Sequence, residues 1–170
     1  MSTLNCAVPP GSLLHRLVQA RGAFADAYAV ELPRTVPLAV FVEAFYTTRL
    51  FKVERALLML LLRKPSSDAM ARAVARGDGE RIAVWTVEAR EGDELLMHED
   101  SGATRSWFKA QALPGGGTAL WFGSAVVPRR REAGGEPKFS WVFHALLGFH
   151  RAYSRALLTA AVRRLKRAER

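Results

Sequence analysis

The sequence predicts an α+β protein in which a curved antiparallel sheet packs on one long C-terminal helix, with two or three helices between the first and second strands. Three observations carry this prediction. Residues 82–127 hold four short alternating runs separated by turn residues. Residues 139–167 hold one helical pattern whose only internal weak point is Gly148. Residues 33–77 hold helix caps and stops instead of alternation. Strands grouped apart from helices need the long helix to cover the apolar face of the sheet.

The elements follow in order. Ser12 caps a short helix carrying Leu13, Leu14, Leu17 and Val18, and Gly22 ends it. Residues 1–23 are thus expected as an extension with an accessory helix, and residues 24–170 as a single domain. Phe24 to Leu32 alternates loosely and stops at Pro33, which predicts the first strand. Thr35 is the expected N-cap of a helix over Val36 to Tyr46, with Pro37 in its first turn. Leu50 to Leu62 is a second helix whose last two turns are apolar all round, which implies burial on several sides or an apolar partner. Ser67 caps a third, Asp68 to Arg76, that Gly77 terminates.

From Ile82 the period becomes two. Ile82–Ala89, Glu94–Glu99, Thr104–Ala112 and Gly117–Val127 are separated by Glu91-Gly92-Asp93, Asp100-Ser101-Gly102 and Pro114-Gly115-Gly116, which predicts a meander. Pro128 to Pro137 is an expected surface loop. Pairing through these turns sets Met97 opposite Ser106, Leu95 opposite Phe108, and Phe108 and Ala110 beside Phe122 and Leu120. One face then carries Leu95, Met97, Phe108, Ala110, Leu120, Phe122 and Val126, with Glu99, Thr104, Ser106 and Ser124 as polar intrusions. The other carries Leu96, His98, Arg105, Trp107, Lys109 and Trp121. The first is the better core face, and a slip of one residue would invert the assignment.

This order of elements resembles the helix-grip architecture of the START and birch-pollen-allergen-like (SRPBCC) superfamily. Thr104-Arg105-Ser106-Trp107, Phe122-Gly123-Ser124-Ala125-Val126-Val127-Pro128 and Gly148-Phe149-His150-Arg151-Ala152-Tyr153-Ser154 are similar to a bacterial domain-of-unknown-function family near it. The resemblance spans about residues 24–165 and implies a helix-grip-like fold with a cavity for a hydrophobic ligand between sheet and last helix. Five strands are read, where that superfamily has six or seven. Either a further strand lies within Gly77–Ile82 or the cavity is small and partly closed.

On the last helix, Phe139, Phe143, Leu146, His150, Tyr153 and Leu157 form one stripe. His150 and Tyr153 are polar groups in its middle, and a buried imidazole or phenol needs a hydrogen-bond partner. Ser106, Ser124, Glu99 and Glu43 are the expected partners. The candidate ligand-binding set is His150, Tyr153, Ser106, Ser124, Arg105, Phe108, Phe122, Phe143 and Leu146, since apolar walls with a few convergent polar groups are what ligand pockets consist of. His150, Tyr153 and Glu99 are the catalytic candidates. The plainer account is that His150 and Tyr153 are core residues satisfied by each other or by backbone. Trp107 and Trp121 are more simply a cross-strand stabilising pair. Arg105 is either a cation–π partner of Trp107 on the outside or, in the other register, an anion-binding cavity residue.

Three functions follow as expectations: a binder of a small hydrophobic or amphipathic ligand, an enzyme of the same fold with cyclase-like or hydratase-like acid–base chemistry and His150 as base, and a peripheral binder of anionic membranes or nucleic acid. Much chemistry is excluded. Gly115-Gly116-Gly117 joins two strands and opens no helix, so it makes no phosphate loop. Ser124 lacks the G-x-S-x-G context. One cysteine in 170 residues rules out an intrachain disulfide framework or a Cys-based zinc site, and the four histidines lie far apart, so no metal or cofactor is expected. The longest apolar run, Ala56 to Leu62, is far shorter than a membrane span, and no secretory leader is read before Cys6; the expected location is cytoplasmic.

The net charge of +9 is uneven. Residues 1–136 hold 17 Lys+Arg against 15 Asp+Glu, whereas residues 137–170 hold 8 against 1. The basic end of the last helix, Arg163, Arg164, Lys166 and Arg167, complements the helix dipole. It is the expected point of any contact with an anionic membrane surface, and nucleic acid is not expected.

Overall fold

Alternating apolar residues between glycine turns give strands here with little slippage, because each turn pins one register. A computed structural model describes residues 4–127 and 141–167, with side chains at 5–61, 63–127 and 152–167. Its element order is β1 (Leu4–Cys6), α1 (Leu13–Arg21), β2 (Phe24–Leu32), α2 (Leu38–Tyr46), α3 (Arg49–Leu62), α4 (Asp68–Arg76), β3 (Arg81–Ile82), β4 (Trp85–Glu91), β5 (Glu94–Glu99), β6 (Thr104–Ala112), β7 (Thr118–Val126) and α5 (Trp141–Arg167). The fold is α+β. All strands join one antiparallel sheet in the order β1-β2-β7-β6-β5-β4-β3, and α5 packs over its inner face on α2, β2 and β7. Among the described residues no helix is long and apolar enough to cross a membrane.

Several boundaries agree with the periodicity: β2, β5, β6, α1 and α4 coincide with the predicted spans. Ser12 and Ser67 accept from His15 N–H and Met70 N–H, and Gly22 and Gly77 close their helices in the left-handed region. The start of α2 differs. Its cap is Pro37 in extended conformation, not Thr35. The Val36 N–H is held by the Thr118 hydroxyl at 2.9 Å, so the chain enters the helix two residues later than propensity suggests. The expected start of the last helix at Phe139 and the loop over residues 128–137 lie outside the described residues.

The strand count of five is corrected to seven. Ala83 adopts φ 51°, which splits the single run expected over Ile82–Ala89 into β3 and β4. This is the extra strand anticipated near Gly77–Ile82. The other addition, β1, pairs with β2 at Leu4–Ala29, Asn5–Tyr28 and Cys6–Ala27.

The cross-strand register is as read: Met97 faces Ser106, Leu95 faces Phe108, Phe108 faces Phe122 and Ala110 faces Leu120. The sheet therefore has two chemically distinct sides, and both are covered. On the inner side, Tyr28, Val30, Leu95, Met97, Phe108, Leu120 and Phe122 pack with residues of α2, α3, α4 and α5. On the outer side, Leu13, Leu14 and Leu17 of α1 close over Ala27, Leu96, Trp107 and Ala125. Trp107 is fully buried there, and its ring centroid lies 6.4 Å from that of Trp121. Glu94 ties this layer together, accepting from Leu13 N–H at 2.8 Å, Trp107 Nε1 at 2.8 Å and Lys109 Nζ at 2.9 Å. Burial opposes ionisation of Glu94, but the hydrogen bonds from Lys109, Leu13 and Trp107 outweigh it and hold the carboxyl below its usual range.

At Gly123 the sheet leaves no room for a side chain beneath α1. A Cβ there would stand 2.6 Å from Leu14 Cδ2 and 2.9 Å from Trp107 Cε3. Gly123→Ala is therefore expected to cost about 1–3 kcal/mol through overpacking. A denaturant titration followed by circular dichroism checks this, and an unchanged midpoint would contradict it.

The apolar end of α3 departs from expectation. Leu57, Met59, Leu60 and Leu61 are exposed, with Leu60 at 78% and Leu61 at 74%. The burial on several sides inferred for this stretch is absent among the described residues.

Candidate functional site

α2 decides how much space remains under the sheet. Phe41, Phe45 and Tyr46 project from one side of this helix and are fully buried. The Phe45 ring lies 4.8 Å from Phe108 and 4.6 Å from Phe122, and Phe41 lies 5.8 Å from Phe108, centroid to centroid. Aromatic packing of this kind, edge-to-face at Phe108 and tilted at Phe122, adds about 0.5–1.5 kcal/mol per pair beyond area burial. The centre of the inner face is thereby filled.

What remains open is a cavity of about 190 Å³ to one side, between β4, β6 and β7 of the sheet and helices α2, α3 and α5. Its apolar walls are Phe45, Tyr46, Phe51, Phe122 and Leu157. Its polar groups are Glu54, Trp85, Thr104, Ser106, Tyr153 and Ser154. The volume equals about six waters' share of liquid.

Glu54 and Tyr153 form the polar centre. The Tyr153 hydroxyl donates a short hydrogen bond to Glu54 Oε2, joining α5 to α3. Burial raises the Glu54 carboxyl above the usual carboxylate range, partly offset by hydrogen bonding from Tyr153 and by the approach of the Trp85 indole N–H. Burial and the neighbouring Glu54 charge raise the Tyr153 phenol in turn, so it remains a donor at all ordinary pH values. The Trp85 N–H approaches this carboxyl without completing a hydrogen bond, and it is buried with no partner among the described residues. The hydroxyls of Thr104, Ser106 and Ser154 likewise make no hydrogen bond among the described residues.

The predicted site residues divide. Tyr153, Ser106 and Phe122 line the cavity together. Phe108 does not, because Phe41, Phe45 and Tyr46 cover its ring. Ser124 donates to Asp26 Oδ1 at 2.5 Å, and Tyr28 donates to Asp26 Oδ2 at 3.2 Å, in a buried cluster apart from the cavity lining. Arg105 sits on the outer face, where it pairs with Glu88 at 2.5 Å and donates to the Gly102 carbonyl, so the cavity alternative is corrected. The β4 bulge after Val87 is what brings Glu88 to that partner. Glu99 accepts from Ser101 N–H and Oγ within the β5–β6 turn and does not meet Tyr153. Glu43 lies in a separate hollow with Arg164. The side chains of Phe143, Leu146 and His150 lie outside the described residues.

Two cavity residues, Glu54 and Trp85, are absent from the candidate set that the sequence pattern gives. Glu54 shares the inner stripe of α3 with Phe51 and Leu58 at i, i+3 and i+7 spacing, which was the available signal. Trp85 lies at the start of β4, at the break that the single run over 82–89 concealed.

No family model matches the chain, and no curated protein matches it. Among solved structures, the chain is similar to a crystal structure of the quaternary ammonium Rieske monooxygenase CntA in complex with an inhibitor. The TM-score is 0.40 and the identity 12%, over 91% of this chain and 43% of that one. The chain thus spans less than half of that protein's length, and a likeness of this degree establishes neither a shared fold nor a shared chemistry.

Proposed function

We propose that the protein binds a small amphipathic molecule in the cavity between α3, α5 and the sheet, with its polar end at Glu54, Tyr153 and Trp85 and its apolar part against Phe45, Phe51, Phe122 and Leu157. One observation carries this reading: the buried Trp85 N–H has no partner among the described residues, and it stands beside a buried carboxyl–phenol pair in aromatic walls. A buried donor left unmatched costs about 1–3 kcal/mol, which an acceptor on a ligand would recover. The Thr104, Ser106 and Ser154 hydroxyls line the same space. The volume sets the class, a single ring or short chain with one hydrogen-bonding head, well below the roughly 300–1,000 Å³ typical of drug-sized ligands.

p-Cresol is a suitable probe, with one ring and one hydroxyl that both donates and accepts. It should raise the melting temperature of the full chain and perturb tryptophan fluorescence, with the perturbation lost in Trp85→Phe. Leu157→Trp, which fills the cavity, should abolish the stabilisation, as should Glu54→Leu, which removes the polar centre. A native mass spectrum should also carry a copurified small mass. Absence of both a copurified mass and any p-cresol effect at millimolar concentration would refute the proposal.

A further inference from the structure

Several arginines with described side chains have partners on the protein. Arg16 pairs with Glu91, Arg55 with Asp68, Arg81 with Asp100 and Arg105 with Glu88. Arg90 donates to the Val74 and Ala75 carbonyls, and Arg34 to that of Leu165. A second group behaves differently. Arg49, at the start of α3, faces Arg163, Arg164 and Arg167 of α5 across a groove of about 630 Å³. Thr48, Leu50 and Ala160 complete its lining, and no carboxylate contributes to it. None of the four guanidiniums has an ion pair or hydrogen-bond partner among the described residues. Glu43 occupies an adjoining hollow with Arg164 and makes no ion pair with it.

The helix dipole accounts for only part of this cluster. Cations in the last turns of α5 sit at the favourable, negative end of that helix. Arg49 sits at the opposite kind of position, in the first turn of α3, which holds no acidic residue and where a positive charge is disfavoured. Four like charges from two helices thus line one concave surface to which no carboxylate contributes among the described residues. A ligand with several anionic oxygens would convert that repulsion into charge-assisted hydrogen bonds, and the planar guanidinium fork matches phosphate oxygens two at a time. The groove is also of small-molecule size, not a flat charged face.

We propose that this groove between the start of α3 and the end of α5 binds a ligand bearing a phosphate group of at least two negative charges. A phosphorylated small molecule and a phospholipid headgroup present the same chemistry, so the test has an arm for each. Sodium pyrophosphate is titrated calorimetrically into the full chain at low ionic strength, and cosedimentation is measured with phosphatidylcholine vesicles containing phosphatidylglycerol or phosphatidic acid. Binding to pyrophosphate, or to the anionic vesicles, should weaken about tenfold or more in Arg163→Gln/Arg164→Gln. It should weaken similarly in Arg49→Gln, on the other helix, with the melting curve of each variant unchanged. If the double variant fails to fold, Arg49→Gln alone decides. Pyrophosphate binding without vesicle binding assigns a soluble ligand, and vesicle binding that pyrophosphate competes away assigns a headgroup. Absence of both interactions at low salt, or affinities that the variants leave unchanged, would overturn the proposal.

Discussion

Trp107→Ala should destabilise the protein by about 3–5 kcal/mol, the range for truncating a fully buried large aromatic. For a chain of this size each kcal/mol lowers the melting temperature by about 2–4 °C. Two losses combine. The indole fills the layer between the sheet and α1, against Leu14 and Trp121, and is fully buried. Its N–H is also one of three donors that keep the buried Glu94 carboxylate satisfied. Trp107→Phe separates the two, since it keeps most of the apolar volume and removes the donor; about 1–3 kcal/mol is expected for that change. Urea titrations of both variants give the comparison. If Trp107→Ala falls within about 1 kcal/mol of the parent protein, the outer layer is not a structural core.

Phe45→Ala is the second large effect, at about 3–5 kcal/mol, and it has a functional signature as well. The ring contacts Phe41, Tyr46, Phe51, Phe108 and Phe122, and it also forms a wall of the cavity. Its removal enlarges an existing space instead of opening an isolated void. The variant should therefore be partly rescued by an apolar guest: benzene or toluene should raise its melting temperature more than that of the parent, because apolar cavities stay dry and accept such molecules. Equal responses of the two proteins would mean that the space at Phe45 collapses, not that it joins the cavity.

Much of the sheet was legible because period-two alternation and glycine turns are local signals. Thr104–Ala112 and Glu94–Glu99 needed no tertiary information, and their pairing followed from the turn between them. β1 was not legible, and β3 only as one of two alternatives near Gly77–Ile82. Three and two residues contain too little alternation to register, and both exist only because a neighbouring strand offers an unpaired edge. The candidate site was half legible. Tyr153, Ser106 and Phe122 lie on faces that periodicity assigns, and they meet at the cavity. Phe108 lies on the correct face too, but which inward residues reach open space depends on how far Phe41, Phe45 and Tyr46 descend from α2, and that is a matter of helix placement. Glu54 is hidden in the sequence for a related reason. Its stripe on α3 runs beside exposed leucines, so composition marks the wrong side of the helix as buried.

The strand order carries a consequence for how the chain reaches this state. β2 finds its partner β7 about a hundred residues later in the sequence, and the helices and the whole meander are made in between. The β3–β7 strands are joined by short turns, so their ladders close small loops. The β2–β7 ladder closes the largest loop in the sheet, and with it come the packing of α1 on one side and of α5 on the other. During synthesis, the N-terminal pair β1–β2 must therefore wait with an open edge until Val126 has emerged. The apolar alternation that makes Phe24–Leu32 a good central strand makes the same segment, until then, the most exposed template for pairing with another chain.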